Sequence, residues 1–224
     1  MSVYADLVSL AGAAAALAPA GEDRRLPPVD PATARKAAVL LLFGALDSVP
    51  AASDKPLAPA SLDVLLIERA ATLTDHPGQV AFPGGGVDPG DASVDAAALR
   101  EAVEETGLDP DGVEILGRLP ELALSVSNFM VTPVLAWWHS PSPVAVVDYG
   151  ESAQVFRIPV RDLLDPDNRY TATLTRGPQT FSSPAFLVNG VVVWGFTAGI
   201  LSRAFEQLGW SVPWDTARVI SPPL

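Results

Sequence analysis

Apolar residues in this chain fall into short runs with two kinds of spacing. Residues 37–43 and 62–69 are rich in Val, Ile and Leu, the pattern of strands buried on both faces. The Pro/Ala/Ser segment between them cannot continue either strand. Upstream, residues 3–17 suit a short helix, and a Pro- and Gly-containing connector follows over 18–31. Residues 79–82 form a brief extended run entering a turn at Pro83-Gly84-Gly85-Gly86. Residues 92–106 are helical, with Gly107 placed to end the helix. Strands are expected at 113–124, 129–139 and 153–158, the last leading into a helical turn at 159–164. In 129–139, Trp137 and Trp138 point to opposite faces, so at least one belongs to the core. Strands at 170–176 and 184–193 follow, with Asn189-Gly190 marking a turn inside the second. A last helix, 195–208, sets Phe196, Ile200, Leu201, Phe205 and Leu208 at helical spacing before a Pro-rich tail.

Neither pure β structure nor strict βα alternation fits this order, and no fixed-period repeat is present. The expectation is an α/β (α+β) fold with a mixed β-sheet between helices. At 224 residues the chain suits one sizeable domain. We divide it into an N-terminal helical extension and linker, 1–36, a core domain, 37–210, and a tail, 211–224.

Composition narrows the classes of function. Hydrophobic residues make up 49% and charged ones 18%, which fits a packed soluble protein. The formal charge of -12 and the lack of a basic stripe argue against nucleic acid as a partner. An acidic protein can still hold a polyanionic small molecule when a divalent cation lies between carboxylates and phosphates. Without cysteine, thiolate metal sites and disulfides are excluded. The alanine-rich start lacks a basic leader region and is interrupted by Asp6. No apolar run reaches the roughly 18 residues of a membrane span. A cytoplasmic location, with no membrane partner, is therefore expected, and a homodimer is compatible with the pattern.

The informative chemistry lies on the helix before Gly107. Glu101, Glu104 and Glu105 are spaced i, i+3, i+4, so an α-helix gathers them on one face, where like charges repel. A bound Mg²⁺ or Mn²⁺ would turn that repulsion into attraction and recruit phosphate oxygens. With oxygen ligands only, a hard cation is expected over zinc. The glycines at 84, 85 and 86 let a substrate or metal approach the main chain. A solvated acidic face beside Arg100 is the competing reading.

With the glycine turn, Arg100 and Gly107 at fixed spacing, the stretch Arg100-Glu101-Ala102-Val103-Glu104-Glu105-Thr106-Gly107-Leu108 resembles the second half of the Nudix hydrolase box, G-x5-E-x7-R-E-U-x-E-E-x-G-U. The first half departs from it. Ungapped counting pairs Gly86 with the first glycine and puts Ala92 at the glutamate, whereas a one-residue insertion pairs Gly85 and Asp91. The shifted form is similar to the coenzyme A pyrophosphatase branch. Leu65-Leu66-Ile67-Glu68-Arg69-Ala70 and His76-Pro77-Gly78-Gln79-Val80-Ala81-Phe82-Pro83-Gly84-Gly85 look like that branch's additional signature, with Ile67 in place of Thr and Thr74 in place of Arg. Trp194-Gly195-Phe196-Thr197-Ala198 is similar to the branch as well.

The resemblance implies an α/β/α sandwich that hydrolyses the diphosphate of coenzyme A or its derivatives, with a small molecule as partner. It implies Glu101, Glu104 and Glu105 as metal ligands, helped by the Gly85 carbonyl. Glu104, Glu105, Arg100 and Glu151 become catalytic candidates, Glu151 as a base from a loop before a strand and Glu121 as its rival. Arg69, His76, Gly84, Gly85 and Gly86 are the substrate-binding candidates. Arg100 would orient a glutamate or contact phosphate, or form a simple helix ion pair. Asp91 would assist the metal or cap the helix, and His76 would contact substrate or hydrogen-bond within its loop. Trp194 is read as packing. Two alternatives stay open: a broader nucleoside-diphosphate hydrolase acting for example on ADP-ribose, favoured by Thr74, and a non-catalytic nucleotide- or coenzyme A-binding regulator.

Overall fold

In the computed structural model, residues 2–13, 29–30, 32–47, 57–124, 127–177 and 179–223 are described. They contain an eight-stranded mixed sheet and a second sheet of four strands. Helix α1 (Val3–Ala13) precedes β1 (Arg35–Ala45), β2 (Leu62–Arg69), β3 (Val80–Ala81) and β4 (Gly84–Gly86). Helix α2 (Val94–Thr106) follows, then β5 (Val113–Arg118), β6 (Leu122–Leu124), β7 (Phe129–Trp138) and β8 (Ser152–Pro159). Next come α3 (Val160–Leu164), β9 (Arg169–Arg176), β10 (Gln179–Val188), β11 (Val191–Val193), α4 (Gly195–Gln207) and β12 (Val219–Ile220).

The spine of the large sheet runs β3-β2-β1-β7-β5, with β4 added to β1, β6 to β7 and β8 to β2. β1 and β7 are parallel over their full overlap, whereas β1 pairs antiparallel with both β2 and β4. Because side chains alternate along a strand, β1 sends Leu41 and Phe43 into one core cluster and Leu40 and Leu42 into the other. The first cluster takes Leu7 and Leu10 from α1, Leu163 from α3 and Phe205 from α4. The second takes Ala97, Ala98 and Ala102 from α2. The chain is therefore a sheet layered between helices, the expected mixed α/β architecture. α1 is no loose appendage, since Val3, Leu7 and Leu10 are all buried.

The expected helix at 92–106 begins instead at Val94, because Ser93 takes the N-cap role and accepts a hydrogen bond from the Ala96 N–H at 3.1 Å. Its end is as expected, Gly107 adopting φ 67° and returning its N–H to the Val103 carbonyl. The expected helix at 3–17 is seen to Ala13, and its remainder lies outside the described residues. The run 113–124 breaks into β5 and β6 at Leu119-Pro120-Glu121. Trp138 is buried on the α2 side of β7, while Trp137 packs on the other face, edge-on to Tyr4.

Two further differences matter for function. The three glycines form β4 rather than a simple turn, pairing Gly84 with Val39 and Gly86 with Ala37. The tail also adds β12 to β9 in parallel, and Trp214 lies over the buried Arg169 guanidinium at 4.9 Å. Arg169 meets Phe186 at 4.6 Å and donates to Ser202 Oγ at 2.9 Å, which joins tail, second sheet and α4.

Candidate active site

Small side chains determine how closely α2 approaches the sheet. Ala97, Ala98 and Ala102 form its buried face, letting the helix lie near β1 and β4 and setting its glutamates beside the glycines. A Cβ on Gly85 would fall 2.5 Å from Glu101 Oε2, so only glycine leaves that carboxylate its place. Gly84, at φ 154°, has its Cβ position blocked by the Ala38 carbonyl and Val39. The Gly84 N–H donates to Glu105 Oε2 at 2.9 Å.

The three glutamates are not equivalent. Glu105 is buried at 5% exposure, whereas the Glu104 side chain is 54% exposed. Burial pushes the Glu105 carboxyl up to about 7; the Gly84 N–H opposes the shift, Glu101 and Glu151 add to it, and Arg69 opposes it. Glu101 is also raised, first by burial, against the nearby Arg100 and with help from the Glu104 and Glu151 charges. Glu151, in the turn before β8, is therefore electrostatically part of the same acidic group. Its carbonyl accepts from the Ala70 N–H at 2.9 Å.

Arg100 organises the cluster. Its Nε and Nη2 donate to the two oxygens of Asp91 at 2.9 and 3.1 Å, in the forked geometry that suits a carboxylate. Nη2 also donates to the Gly86 carbonyl at 3.0 Å, and Nη1 lies 3.0 Å from both Glu101 Oε1 and Glu104 Oε2. The guanidinium beside Asp91, with the Asp88 N–H, holds the Asp91 carboxyl below the usual carboxylate range. Asp91 thus anchors Arg100 across the entry to α2, and the capping role considered for it belongs to Ser93.

The donor chemistry suits a hard cation, since every available ligand is oxygen and the crowded carboxylates hold their protons more strongly than free ones. Among the described residues no three acidic or histidine side chains already form a cage, because Glu101 and Glu104 turn toward Arg100. Ligation by all three glutamates requires those two carboxylates to share themselves between Arg100 and the ion.

Next to the glycines lies a cavity of about 940 Å³. Ala37, Val39, Gly84, Gly85 and Gly86 contribute to its lining, together with Phe181 of β10 and Phe196 and Ile200 of α4. Arg69 and His76 line the same space. Among the described residues the Arg69 guanidinium makes long contacts, 3.4 Å, to the Asp75 carbonyl, leaving donor capacity toward the cavity. His76 has φ 56°, a conformation favoured mainly by glycine, and its Nδ1 lies 3.2 Å from Gln79 Oε1. Trp194, read as packing, also lines the cavity. Glu121 lies by Thr132, whose Oγ1 donates to it at 3.4 Å; among the described residues no hydrogen bond joins it to the three glutamates. The sequence reading missed Phe181, because β10 gives no sign of where it folds back. It also missed Pro222, a buried tail residue that lines the cavity.

Comparison with known proteins adds an independent view. The family model described as the NUDIX domain matches residues 56–173. A protein of Cronobacter sakazakii named "Uncharacterized Nudix hydrolase NudL" is 40% identical over 146 residues, covering 65% of this chain and 75% of its own. A relative of the same name from Escherichia coli O9:H4 is 38% identical with the same coverage. Among solved structures, a MutT/nudix family protein from Enterococcus faecalis aligns with a TM-score of 0.46 and 18% identity, over 82% of this chain and 64% of that one.

Proposed function

Because the chain belongs to the Nudix hydrolase family, we propose that it is a divalent-metal-dependent enzyme cleaving the diphosphate of coenzyme A or its derivatives to 3′,5′-ADP and 4′-phosphopantetheine. The observation that carries this reading is the fitting of Glu101 and Glu105 against Gly85 and Gly84, glycines that line a large, mainly apolar cavity. The coenzyme A assignment rests further on the segments 65–70, 76–85 and 194–198, which resemble that branch. Glu101, Glu104 and Glu105, with the Gly85 carbonyl, would hold Mg²⁺ or Mn²⁺. Such an ion, when bound, polarises phosphoryl oxygens and lowers the pKa of water. Arg69 and the backbone at Gly84, Gly85 and Gly86 would hold the diphosphate oxygens. Arg100, fixed by Asp91, keeps Glu101 and Glu104 oriented. Water attacks one phosphorus, the bond from that phosphorus to the bridging oxygen breaks, and the proton of the water passes to a carboxylate. We assign that transfer to Glu151, a reading supported by the effect of its charge on Glu101 and Glu105.

Thr74, where the branch signature has Arg, favours a second reading in which the substrate is a simpler nucleoside diphosphate such as ADP-ribose. Incubation with coenzyme A, acyl-coenzyme A, ADP-ribose, NADH and dinucleoside polyphosphates, with Mg²⁺ or Mn²⁺, separates the readings by mass analysis of products. Release of 3′,5′-ADP from coenzyme A is expected. Cleavage of ADP-ribose with coenzyme A untouched overturns the assignment, and saturable coenzyme A binding without cleavage of any compound makes the protein a regulator.

A further inference from the structure

Although the chain is acidic overall, the sign of charge is inverted in the cavity. Among the described residues lining it, Arg35, Arg69 and Arg203 are cationic and Asp75 alone is acidic. Arg69 belongs to the metal end, where its charge acts on Glu105. Arg35 stands apart from that end at a defined spacing. Arg35, Ala37 and Val39 lie on one face of β1 and all line the cavity. Val39 pairs with Gly84 and Ala37 with Gly86, so Arg35 lies one further step along the same row. Two residues of strand carry it roughly 7 Å beyond the Ala37–Gly86 pair.

The side chain is held in place but keeps donors available. Its guanidinium carbon sits 4.1 Å over the Phe129 ring, and Phe129 is its register partner on β7 and another lining residue. Stacking fixes the plane of the group and leaves its edge donors directed outward. Nη2 makes a long contact, 3.4 Å, to the Ser127 carbonyl, and among the described residues no carboxylate pairs with Arg35. A guanidinium has five N–H donors, so this one is preorganised for a second anion.

We infer that Arg35 binds a phosphate of the substrate other than the scissile diphosphate, and that it is the specificity residue for a phosphate on the nucleoside sugar. This inference rests on the proposed function and supplies, from β1 rather than from position 74, a cation that lines the cavity. A phosphate on the sugar is separated from the diphosphate by the ribose, and the row from Gly84 through Gly86 to Arg35 provides a matching succession of contacts.

The test compares coenzyme A with dephospho-coenzyme A, which lacks only the sugar phosphate, using wild type, Arg35→Gln and Arg35→Lys with folding checked by circular dichroism. Wild type is expected to favour coenzyme A in kcat/KM by tenfold or more, mainly through KM. Arg35→Gln should bring the ratio toward one, and Arg35→Lys should restore part of it. Equal use of both compounds by wild type, or an unchanged ratio in Arg35→Gln, overturns the inference while leaving diphosphate hydrolysis intact. Failure of wild type to cleave either compound removes the coenzyme A reading and this inference with it.

Discussion

Replacing Gly85 with alanine should separate stability from catalysis. The added Cβ would lie 2.5 Å from Glu101 Oε2, and ordinary contact begins at 3.4 Å, so the carboxylate must retreat by about 0.9 Å (3.4 − 2.5). It is the end of a flexible side chain, so the fold should lose no more than about 1 kcal/mol. Catalysis is less tolerant, since a misplacement of about 1 Å can cost on the order of a hundredfold in rate. Gly84→Ala is the control. There Gly84 itself is at φ 154° and the obstacle is the backbone of Ala38 and Val39, so a loss of about 3 kcal/mol is expected from overpacking and strain. Urea unfolding with hydrolysis of the best diphosphate substrate measures both effects. A Gly85→Ala protein of wild-type turnover would refute the placement of Glu101 against Gly85 as a catalytic requirement. Equal destabilisation by both substitutions would show that the carboxylate cannot move aside.

Glu104→Gln and Glu105→Gln should each lose at least a hundredfold in turnover while keeping a folded circular dichroism spectrum; unchanged rates in both would remove the metal-site assignment. Leu7→Ala, at a fully buried position of α1, should cost about 2–5 kcal/mol in urea unfolding, whereas a loss below about 0.5 kcal/mol would make α1 dispensable to the core. Asp63 lies 2.7 Å from Arg157, yet burial pushes its carboxyl up to about 6 from 3.8, and among the described residues its Oδ1 has no hydrogen-bond partner. Burial also weakens the Arg157 guanidinium's hold on its proton, and Asp63 and Asp47 more than offset that. The pairing is therefore real but covers only one Asp63 oxygen, so the upward direction stands. Between about pH 4 and 6 the native state binds more protons than the unfolded one, so this contribution is full below pH 4 and is lost as pH rises. Wild-type stability relative to Asp63→Asn should fall across that window, and a rise would mean that the pairing outweighs burial.

Much of this arrangement could be read from local pattern. β2 occupies 62–69 as expected because its apolar run is dense, and α2 stops at Gly107 because a left-handed cap favours glycine. Local pattern failed where partners distant in sequence decide the outcome. Three consecutive glycines carry no strand propensity, and β4 exists because β1 offers backbone partners. Asp91 could be read as a cap or as a helper of the metal site, and the cap is Ser93 while Arg100, nine residues after Asp91, holds the Asp91 carboxylate. Arg100 and the three glutamates were visible as chemistry. That Glu105 is buried while Glu104 faces water depended on how closely the alanine face of α2 seats on the sheet.

The lining of the cavity comes from two parts of the chain, which bears on inhibitor design. Gly84, Gly85 and Gly86 fall within the span matched by the family model, while Phe181, Phe196 and Ile200 lie beyond residue 173. A compound confined to the glycines would use only the part of the cavity inside that span. An apolar extension reaching Phe181, Phe196 and Ile200 would add contacts from outside it.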